Sequence, residues 1–354
     1  MGDDSNRWFP GGKKGRSAKT KNGSISESNV VSLVQPGNPP PGHILYMDPD
    51  WPLVQGDWVG GKVACSADPD EARAQTMVAL AELRAAAPTP GDRSFIAGVY
   101  ERLGHRDLGL PDFPETPIKL EQLMSEEEPN SQQIMRCIES DPKLVGRVWQ
   151  RARSARFPSA PSSLDMAVSR IGMVTVWRLS LESALDGVEV KSDPYQGQVE
   201  ILRVHGAAVG EVTAGLHGHG RGPAFLAGLL HDVGWLVLMQ AAEHARPSEG
   251  FFKAVADAHH AAISVMVADA WRLTPEILPV LACHHNPDAI QASDRDLCRL
   301  LCLADIAVEG ELHRRSGRNS RFIDAMAQFT QSRVLASKAI HQAALALDRI
   351  QADG

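Results

Sequence analysis

The chain has 354 residues, of which 43% are hydrophobic and 22% are charged, and its formal net charge is −7 at pH 7. This length allows one large domain or two medium ones, and the composition is that of a globular protein. The net negative charge excludes a positive electrostatic field over the whole protein that would attract nucleic acid or an anionic membrane. Because we find no signal core and no apolar run near the length of a membrane span, about 20 residues, we expect a cytoplasmic protein with no membrane contact.

The N-terminal part is predicted to be a disordered extension over residues 1–60. It contains a basic, glycine-rich tract at 11–21 and a proline-rich run at 36–42. Such compositions cannot bury enough apolar surface to form a core. Within the extension, only residues 43–47 have the pattern of a short strand.

A helical lead-in is predicted over residues 61–109. The sequence Asp-Pro-Asp-Glu at 68–71 is a helix-start signal, and the alanine- and leucine-rich segment 72–86 follows it. A second helical segment is expected at 95–103.

Helical signals continue through a predicted main domain at 110–310 and predicted C-terminal helices at 311–354. Strand-like alternation of polar and apolar residues is scarce, so we expect an all-α fold. The segments with helical periodicity are 118–124, 131–138, 142–152, 164–171, 174–184, 198–216, 275–283 and 334–350.

The five cysteines are Cys65, Cys137, Cys283, Cys298 and Cys302. Their odd number and scattered positions argue against a disulfide framework and fit a reducing compartment. Cys298 and Cys302 lie four residues apart in an apolar segment, and we interpret them as core thiols rather than metal ligands.

A histidine and an aspartate interrupt an otherwise apolar run. His231 and Asp232 follow Phe225–Leu230 and precede Leu236–Met239, and Asp305 has equally apolar neighbours. An ionised carboxylate buried in such surroundings is strongly destabilising unless it meets a cation, a metal or firm hydrogen-bond donors. We therefore expect both aspartates to meet histidines from other helical segments.

These segments supply enough titratable residues for a metal site collected from several helices. Neutral imidazoles and carboxylates are ligands for Mn²⁺, Fe²⁺ or Zn²⁺, and the set could hold one or two ions. A buried hydrogen-bond network without metal explains the same residues equally well. The candidate ligands are His205, His231, Asp232, His260, His284, His285 and Asp305.

A basic cluster lies in the first half of the predicted main domain. Lys143, Arg147 and Arg151 are spaced four residues apart and share one helical face, and Arg153 and Arg156 follow. This face could bind a phosphate-bearing ligand or an acidic partner. A solvated charged face is the commoner explanation of such spacing.

Six short segments between residues 110 and 310 form an ordered series. They are LPDFP at 110–114, DPKL at 141–144, SLDMAVSRIG at 163–172, HAAI at 260–263, WRLTP at 271–275 and HHNP at 284–287. The series resembles that of the HDOD domain, a regulatory branch of the HD superfamily, whose metal-dependent phosphohydrolases carry an H…HD…D order. The resemblance implies a helical bundle in bacterial signal transduction, with every metal-ligand position of the related HD-GYP phosphodiesterases filled.

Three departures separate the chain from those phosphodiesterases or from the HDOD pattern. Trp235 stands where HD-GYP enzymes have a lysine, and residues 287–290 replace their GYP signature. Residues 153–155 read Arg-Ser-Ala in place of the HDOD pattern Asn-Ser-Ala. Loss of the lysine removes a cationic phosphate partner that ester cleavage uses.

The resemblance implies a regulatory HDOD protein that acts by binding a signalling protein partner or a ligand and contains a buried His/Asp metal site. The alternative is a metal-dependent phosphohydrolase acting on a nucleotide or cyclic dinucleotide, with Asp232 as the expected catalytic residue. In the alternative, the first ion is held by His205, His231, Asp232 and Asp305, and a second by His260, His284 and His285. The acidic charge and the lack of a recognisable reader motif disfavour a nucleic-acid partner.

Overall fold

The chain folds into helices, as its sequence predicts. A computed structural model describes residues 65–153, 160–185, 187, 190, 193–218, 222–316, 326 and 330–353. These residues form helices and no strand, which confirms the all-α prediction. The predicted extension at 1–60, including the expected strand at 43–47, lies outside the described residues.

The α helices are numbered here in chain order. They are α1 (Pro69–Ala86), α2 (Pro90–His105), α3 (Glu115–Ser125), α4 (Ser131–Glu139), α5 (Pro142–Ala152), α6 (Leu164–Ile171), α7 (Met173–Glu182), α8 (Asp193–His217), α9 (Pro223–Leu230), α10 (Gly234–Ala245), α11 (Glu249–Ala270), α12 (Leu278–Cys283), α13 (Ala292–Arg315) and α14 (Arg333–Asp353).

Several helices begin at side chains that satisfy their first backbone N–H groups. Asp68 accepts hydrogen bonds from the amides of Asp70 and Glu71, both at 2.9 Å, and Pro69 occupies the first helical position of α1. Asp141 caps α5 by accepting from the amide of Leu144 at 3.0 Å. These caps depend only on residues a turn apart, which is why the sequence predicts the helix starts well.

The helices fall into two packed groups. Helices α3 to α7 pack against one another, and α8 to α13 form a second group in which α8 packs on α9, α10 and α13. Trp177 of α7 joins the groups by packing against Phe225 of α9, with ring centroids 5.7 Å apart. The candidate metal ligands all come from this second group of helices or from the turns between them.

Helices α8 and α9 cross with their backbones in direct contact. A Cβ on Gly228 would lie 2.6 Å from the Cα of Gly210, and one on Gly206 would lie 2.6 Å from the carbonyl oxygen of Leu229. Only glycine fits at such approaches. Because His205 adjoins Gly206 and His231 follows the end of α9, this crossing brings the two histidines together.

Contrary to the expectation that no apolar run approaches the length of a membrane span, the segment Pro223–Ala245 is long and apolar enough to be one, but 94% of its most apolar window is buried inside the protein. It comprises α9, the turn 231–233 and α10, so its hydrophobicity is explained by its position in the core. Trp235 in α10 packs against Phe252 of α11 at a centroid distance of 6.0 Å. Phe252 also contacts Phe95 of α2 at 5.4 Å.

The lead-in helices are fixed to this core. Helix α1 packs on α11, and α2 packs on α10. The buried carboxylate of Asp92 caps α2 together with Thr89 and also accepts from Ser248, whose amide is 2.7 Å away and whose hydroxyl is 3.0 Å away. One carboxylate thus connects the start of α2 to the start of α11.

The last helix, α14, packs on both α8 and α13, the helices that carry His205 and Asp305. Asp348 of α14 accepts from Arg315 of α13 at 2.7 Å, and Arg349 of α14 pairs with Glu211 of α8. These contacts hold the two ligand-bearing helices from the outside.

The close crossing of α8 and α9 predicts that Gly228→Ala lowers the free energy of unfolding by about 1–3 kcal/mol. The added methyl group would collide with backbone atoms that cannot move aside without strain. Urea unfolding followed by circular dichroism measures the change. The matched control is Gly146→Ala in α5, where nothing lies within 4 Å of an added Cβ. It should stabilise the protein by about 0.5–1 kcal/mol, and equal effects of the two substitutions would contradict the crossing.

The shared role of Asp92 predicts that Asp92→Asn costs about 2 kcal/mol at pH 7, because the carboxylate accepts charge-assisted hydrogen bonds. Burial raises the pKa of Asp92, but the bonds from Thr89 and Ser248 outweigh it and keep the pKa below its usual value. The stabilisation is therefore complete above about pH 5 and is lost as the pH falls below about 4. Exposed Asp112→Asn should change stability by less than about 0.5 kcal/mol at any pH.

Candidate metal centre

Five structural elements place the predicted ligands around one buried point. His205 lies on α8, His231 and Asp232 lie in the turn between α9 and α10, and His260 lies on α11. His284 and His285 follow directly after α12, and Asp305 lies on α13. His285 is exposed at the surface of the cluster, whereas the other histidines and Asp232 are buried.

Backbone carbonyls fix the orientation of three imidazole rings. The Nδ1 atoms of His231, His260 and His284 lie 2.8, 2.7 and 2.7 Å from carbonyl oxygens three or four residues earlier in the chain. Those carbonyls belong to Gly228, Ala256 and Leu281. Since a carbonyl only accepts, we assign the Nδ1 proton to each ring, and each Nε2 is left as the atom that can bind a cation.

The three Nε2 atoms point at the carboxylate of Asp232. His231 Nε2 lies 3.0 Å from Oδ2, and the Nε2 atoms of His260 and His284 lie 3.2 and 3.4 Å from Oδ1. His260 Nε2 is also 3.2 Å from His284 Nε2 and 2.8 Å from His285 Nε2. Lone pairs at these distances repel one another unless a proton or a metal ion lies among them. The donor set therefore fits a divalent cation.

The ligand atoms form two groups that share Asp232. One group joins Asp232 to His260, His284 and His285, and the other joins it to His205 and His231. Asp305 adjoins the second group, because its Oδ1 lies 2.9 Å from His205 Nε2 and 3.6 Å from His231 Nε2. All seven predicted ligands are thus brought together.

The pKa values of the cluster reflect the attraction between its imidazole rings and its carboxylates. Burial lowers the pKa of His231, but the carboxylates of Asp232 and Asp305 outweigh burial and leave it well above the usual value. Burial alone would raise the pKa of Asp232. Its histidine neighbours, of which His231 has the largest effect, outweigh burial and hold the pKa of Asp232 well below the usual value. The electrostatic environment stabilises positive charge on the rings and negative charge on the carboxylates.

Two further carboxyl groups flank the cluster, and the sequence interpretation missed them. Burial raises the pKa of Asp257 to about 7, and burial together with Asp305 and Asp232 raises that of Glu309 well above its usual value. Asp257 precedes His260 by three residues and Glu309 follows Asp305 by four, so helical spacing from the ligands was the signal that could have found them.

Two thiols hold the turn that carries His284. Cys302 Sγ lies 2.7 Å from the carbonyl oxygen of His284, and Cys298 Sγ lies 3.3 Å from that of Cys283. Both thiols belong to α13, and they satisfy carbonyls at the end of α12 that have no partner within that helix. Both cysteines are buried, in agreement with the interpretation as core thiols.

Trp235 is buried beside the cluster, where its ring lies 5.6 Å from the ring of His260. An indole at this position supplies no positive charge toward a phosphate. Trp235, at which the sequence departs from the HD-GYP pattern, is therefore a packing residue of the core that also contacts one candidate ligand.

The basic residues proposed as a ligand site lie away from the centre, on α5 and at its end. Arg147 pairs with Glu182 of α7 at 3.6 Å, and Arg153 stacks over Trp149 with its guanidinium carbon 5.1 Å from the ring centroid. Lys143 and Arg153 are exposed, whereas Arg147 and Arg151 are partly buried. Binding of a ligand by Lys143, Arg147, Arg151 and Arg153 stays a prediction.

Comparison with known proteins identifies the family. A model of the HDOD domain matches residues 110–287. The chain belongs to the HDOD family. The match covers the ligands from His205 to His285, and Asp305 lies beyond its end. The predicted domain boundaries, including an HDOD domain at 110–310, stay predictions. A search of curated proteins finds no match.

Two of the solved structures that resemble this HDOD protein share its fold. One from Shewanella amazonensis SB2B, named as a metal-dependent phosphohydrolase, is 17% identical with a TM-score of 0.50, over 73% of this chain and 100% of its own. One from Marinobacter aquaeolei VT8, named as a signal transduction protein, is 22% identical with a TM-score of 0.56, over 76% of this chain and 65% of its own. An HDOD domain protein from Geobacter sulfurreducens is 16% identical with a TM-score of 0.47, over 71% and 96%.

The HDOD motifs of this chain have physical roles in the fold. Asp141 of the DPKL motif caps α5, and Ser163 caps α6 by accepting from the amide of Met166 at 3.1 Å. Trp271 of the WRLTP motif donates from Nε1 to the carbonyl oxygen of Pro111 at 2.9 Å, which joins the end of α11 to the start of the domain. The motifs therefore mark helix caps and one long-range contact as well as ligands.

Proposed function

We propose that this HDOD protein is a regulatory signalling module of bacterial origin whose buried His/Asp centre binds one or two divalent ions. Mn²⁺, Fe²⁺ and Zn²⁺ match the donor set of imidazole nitrogens and carboxylate oxygens. In this proposal the module acts by binding a signalling protein partner or a ligand in the cytoplasm.

One observation carries the proposal of metal binding. The Nδ1 atoms of His231, His260 and His284 are occupied by backbone carbonyls, and all three Nε2 atoms converge on Asp232. Metal-bound histidines characteristically donate their other ring nitrogen to a carbonyl or carboxylate, which fixes the tautomer and the ring orientation. The chain supplies this support before any ion binds.

A regulatory role is favoured over hydrolysis because of the residue beside the ligands. A bound divalent ion supplies Lewis acidity to a phosphate oxygen, but ester cleavage also uses positive charge from the protein. At the position where HD-GYP enzymes place a lysine, this chain has the buried indole of Trp235. The complete ligand set is the observation that favours the alternative, a metal-dependent phosphohydrolase with Asp232 as its catalytic residue.

The exposed basic side chains of Lys143 and Arg153 support a secondary part of the proposal. Together with Arg147 and Arg151 they give α5 and its end an excess of positive charge that could meet an acidic partner or a phosphate-bearing ligand. The contact of Arg147 with Glu182 means that only part of this charge is available.

Metal binding predicts a rise in thermal stability when Mn²⁺ is added to the metal-stripped protein. An ion present at 100 times its dissociation constant stabilises the folded state by about 2.7 kcal/mol. Because Asp232 belongs to both ligand groups, Asp232→Asn should remove the effect of Mn²⁺ and reduce bound metal, measured by calorimetry and elemental analysis. The control Asp269→Asn, at an exposed site on the same bundle, should behave as wild type, and equal responses of both variants would contradict the proposed site.

The regulatory proposal predicts that the Mn²⁺-loaded protein does not hydrolyse cyclic di-GMP or nucleoside phosphates above the rate of the metal-loaded buffer. The reason is the absence of a protein cation at the position of Trp235. Chromatographic product analysis over several hours measures this. Turnover that disappears in Asp232→Asn but persists in Asp269→Asn would establish the hydrolase alternative instead.

A further inference from the structure

A buried serine joins two of the elements that carry candidate ligands. The hydroxyl oxygen of Ser264, which is fully buried, accepts a hydrogen bond from the amide of Gly234 at 2.9 Å. Ser264 lies on α11, one turn after the candidate ligand His260, and Gly234 begins α10, two residues after the candidate ligand Asp232. One hydroxyl group therefore connects the turn of Asp232 to the helix of His260.

The amide of Gly234 finds its acceptor in another helix. The first amides of a helix have no acceptor within that helix and need one from elsewhere. The residue before α10 is Val233, whose apolar side chain cannot cap it. Because Gly234 is buried as well, removal of the Ser264 hydroxyl leaves a buried N–H donor without this partner.

Gly234 also packs directly against the turn of α11 that runs from His260 to Ser264. A Cβ on Gly234 would lie 2.2 Å from the carbonyl oxygen of His260 and 3.0 Å from the backbone nitrogen of Ser264. Only glycine fits at such an approach. The hydrogen bond to the serine fixes the position along α11 at which this backbone contact is made.

The same two elements meet again at the candidate ligands. The Nε2 atom of His260 lies 3.2 Å from Oδ1 of Asp232, and the ring of Trp235 lies 5.6 Å from the ring of His260. Since Asp232 is two residues from Gly234, and His260 is one helical turn from Ser264, a shift of Gly234 along α11 would change the distance between carboxylate and imidazole.

We propose that Ser264 is a positioning residue of the metal centre. Its hydroxyl holds the turn of Asp232 in register with His260, and it thereby raises the affinity for a divalent ion that the serine itself does not touch. The proposal rests on the metal-binding function proposed above. Loss of a group that orients metal ligands from outside lowers metal affinity by about 10- to 100-fold. We expect the lower end of this range, because Ser264 acts on the ligands through the backbone.

Mn²⁺ titration of the metal-stripped, full-length protein tests the proposal by calorimetry. Ser264→Ala should bind Mn²⁺ about 10-fold more weakly than wild type. The matched control is Ser180→Ala in α7, where an equally buried hydroxyl donates to the carbonyl oxygen of Trp177 at 2.6 Å. The control should keep the wild-type affinity. Wild-type affinity in Ser264→Ala, or an equal loss in Ser180→Ala, would overturn the proposal.

The absorption spectrum of the Co²⁺-saturated protein separates positioning from a general loss of stability. The d–d bands of Co²⁺ depend on the geometry of its ligands, whereas a less stable protein that is still folded and saturated keeps them. We expect Ser264→Ala to shift these bands and Ser180→Ala to leave them unchanged. A wild-type spectrum in Ser264→Ala would mean that the serine only stabilises the fold, and the proposal would be refuted.

A second substitution serves where Ser264→Ala does not fold. Ser264→Cys fills nearly the same space but replaces the hydroxyl with a thiol, which is a weaker acceptor. It should also bind Mn²⁺ more weakly than wild type, and wild-type affinity in this variant would contradict the proposal. If the wild type binds neither Mn²⁺ nor Co²⁺, the metal-binding function fails and the role of Ser264 fails with it. Metal binding that is insensitive to Ser264 would refute only the role of the serine.

Discussion

The hydrogen bonds from imidazole Nδ1 atoms to carbonyls of the preceding turn are the constraint on which the site depends. They fix each ring of His231, His260 and His284 in one tautomer and direct its Nε2 toward Asp232. Without them, the rings could turn their Nδ1 atoms inward and donate to the carboxylate. With them, the centre brings together hydrogen-bond acceptors whose mutual repulsion only protons or a metal ion can relieve.

The candidate ligands can lie this close together only because the surrounding helices approach one another very closely. Gly206, Gly210 and Gly228 let α8 and α9 touch through their backbones, and Gly234 places the start of α10 against the carbonyl of His260. The outer helix α14 then fixes α8 and α13 through ion pairs. The turns that carry the candidate ligands, the glycine contacts and the outer helix therefore belong to one packed core.

Much of the fold and the convergence of the candidate ligands could be predicted, because both depend on short-range signals. Caps such as Asp68 and Asp141 act on amides two or three residues away. A buried carboxylate such as Asp232 requires a cation or hydrogen-bond donors in any fold that buries it. Other features could not be predicted. The role of Gly228 depends on Gly210 across a helix crossing, Arg147 meets Glu182 of another helix, and Asp257 and Glu309 gain raised pKa values only from burial near Asp232 and Asp305.

The sequence by itself determined the all-α class, the HDOD motifs in their order and the seven candidate ligand residues, since periodicity, caps and buried charge are properties of local sequence. Only the tertiary structure decided which nitrogen of His231, His260 and His284 faces inward and that Asp232 is shared by two groups of candidate ligands. These depend on distances between atoms far apart in the chain. Such distances are set by how helices pack, and no local pattern encodes them.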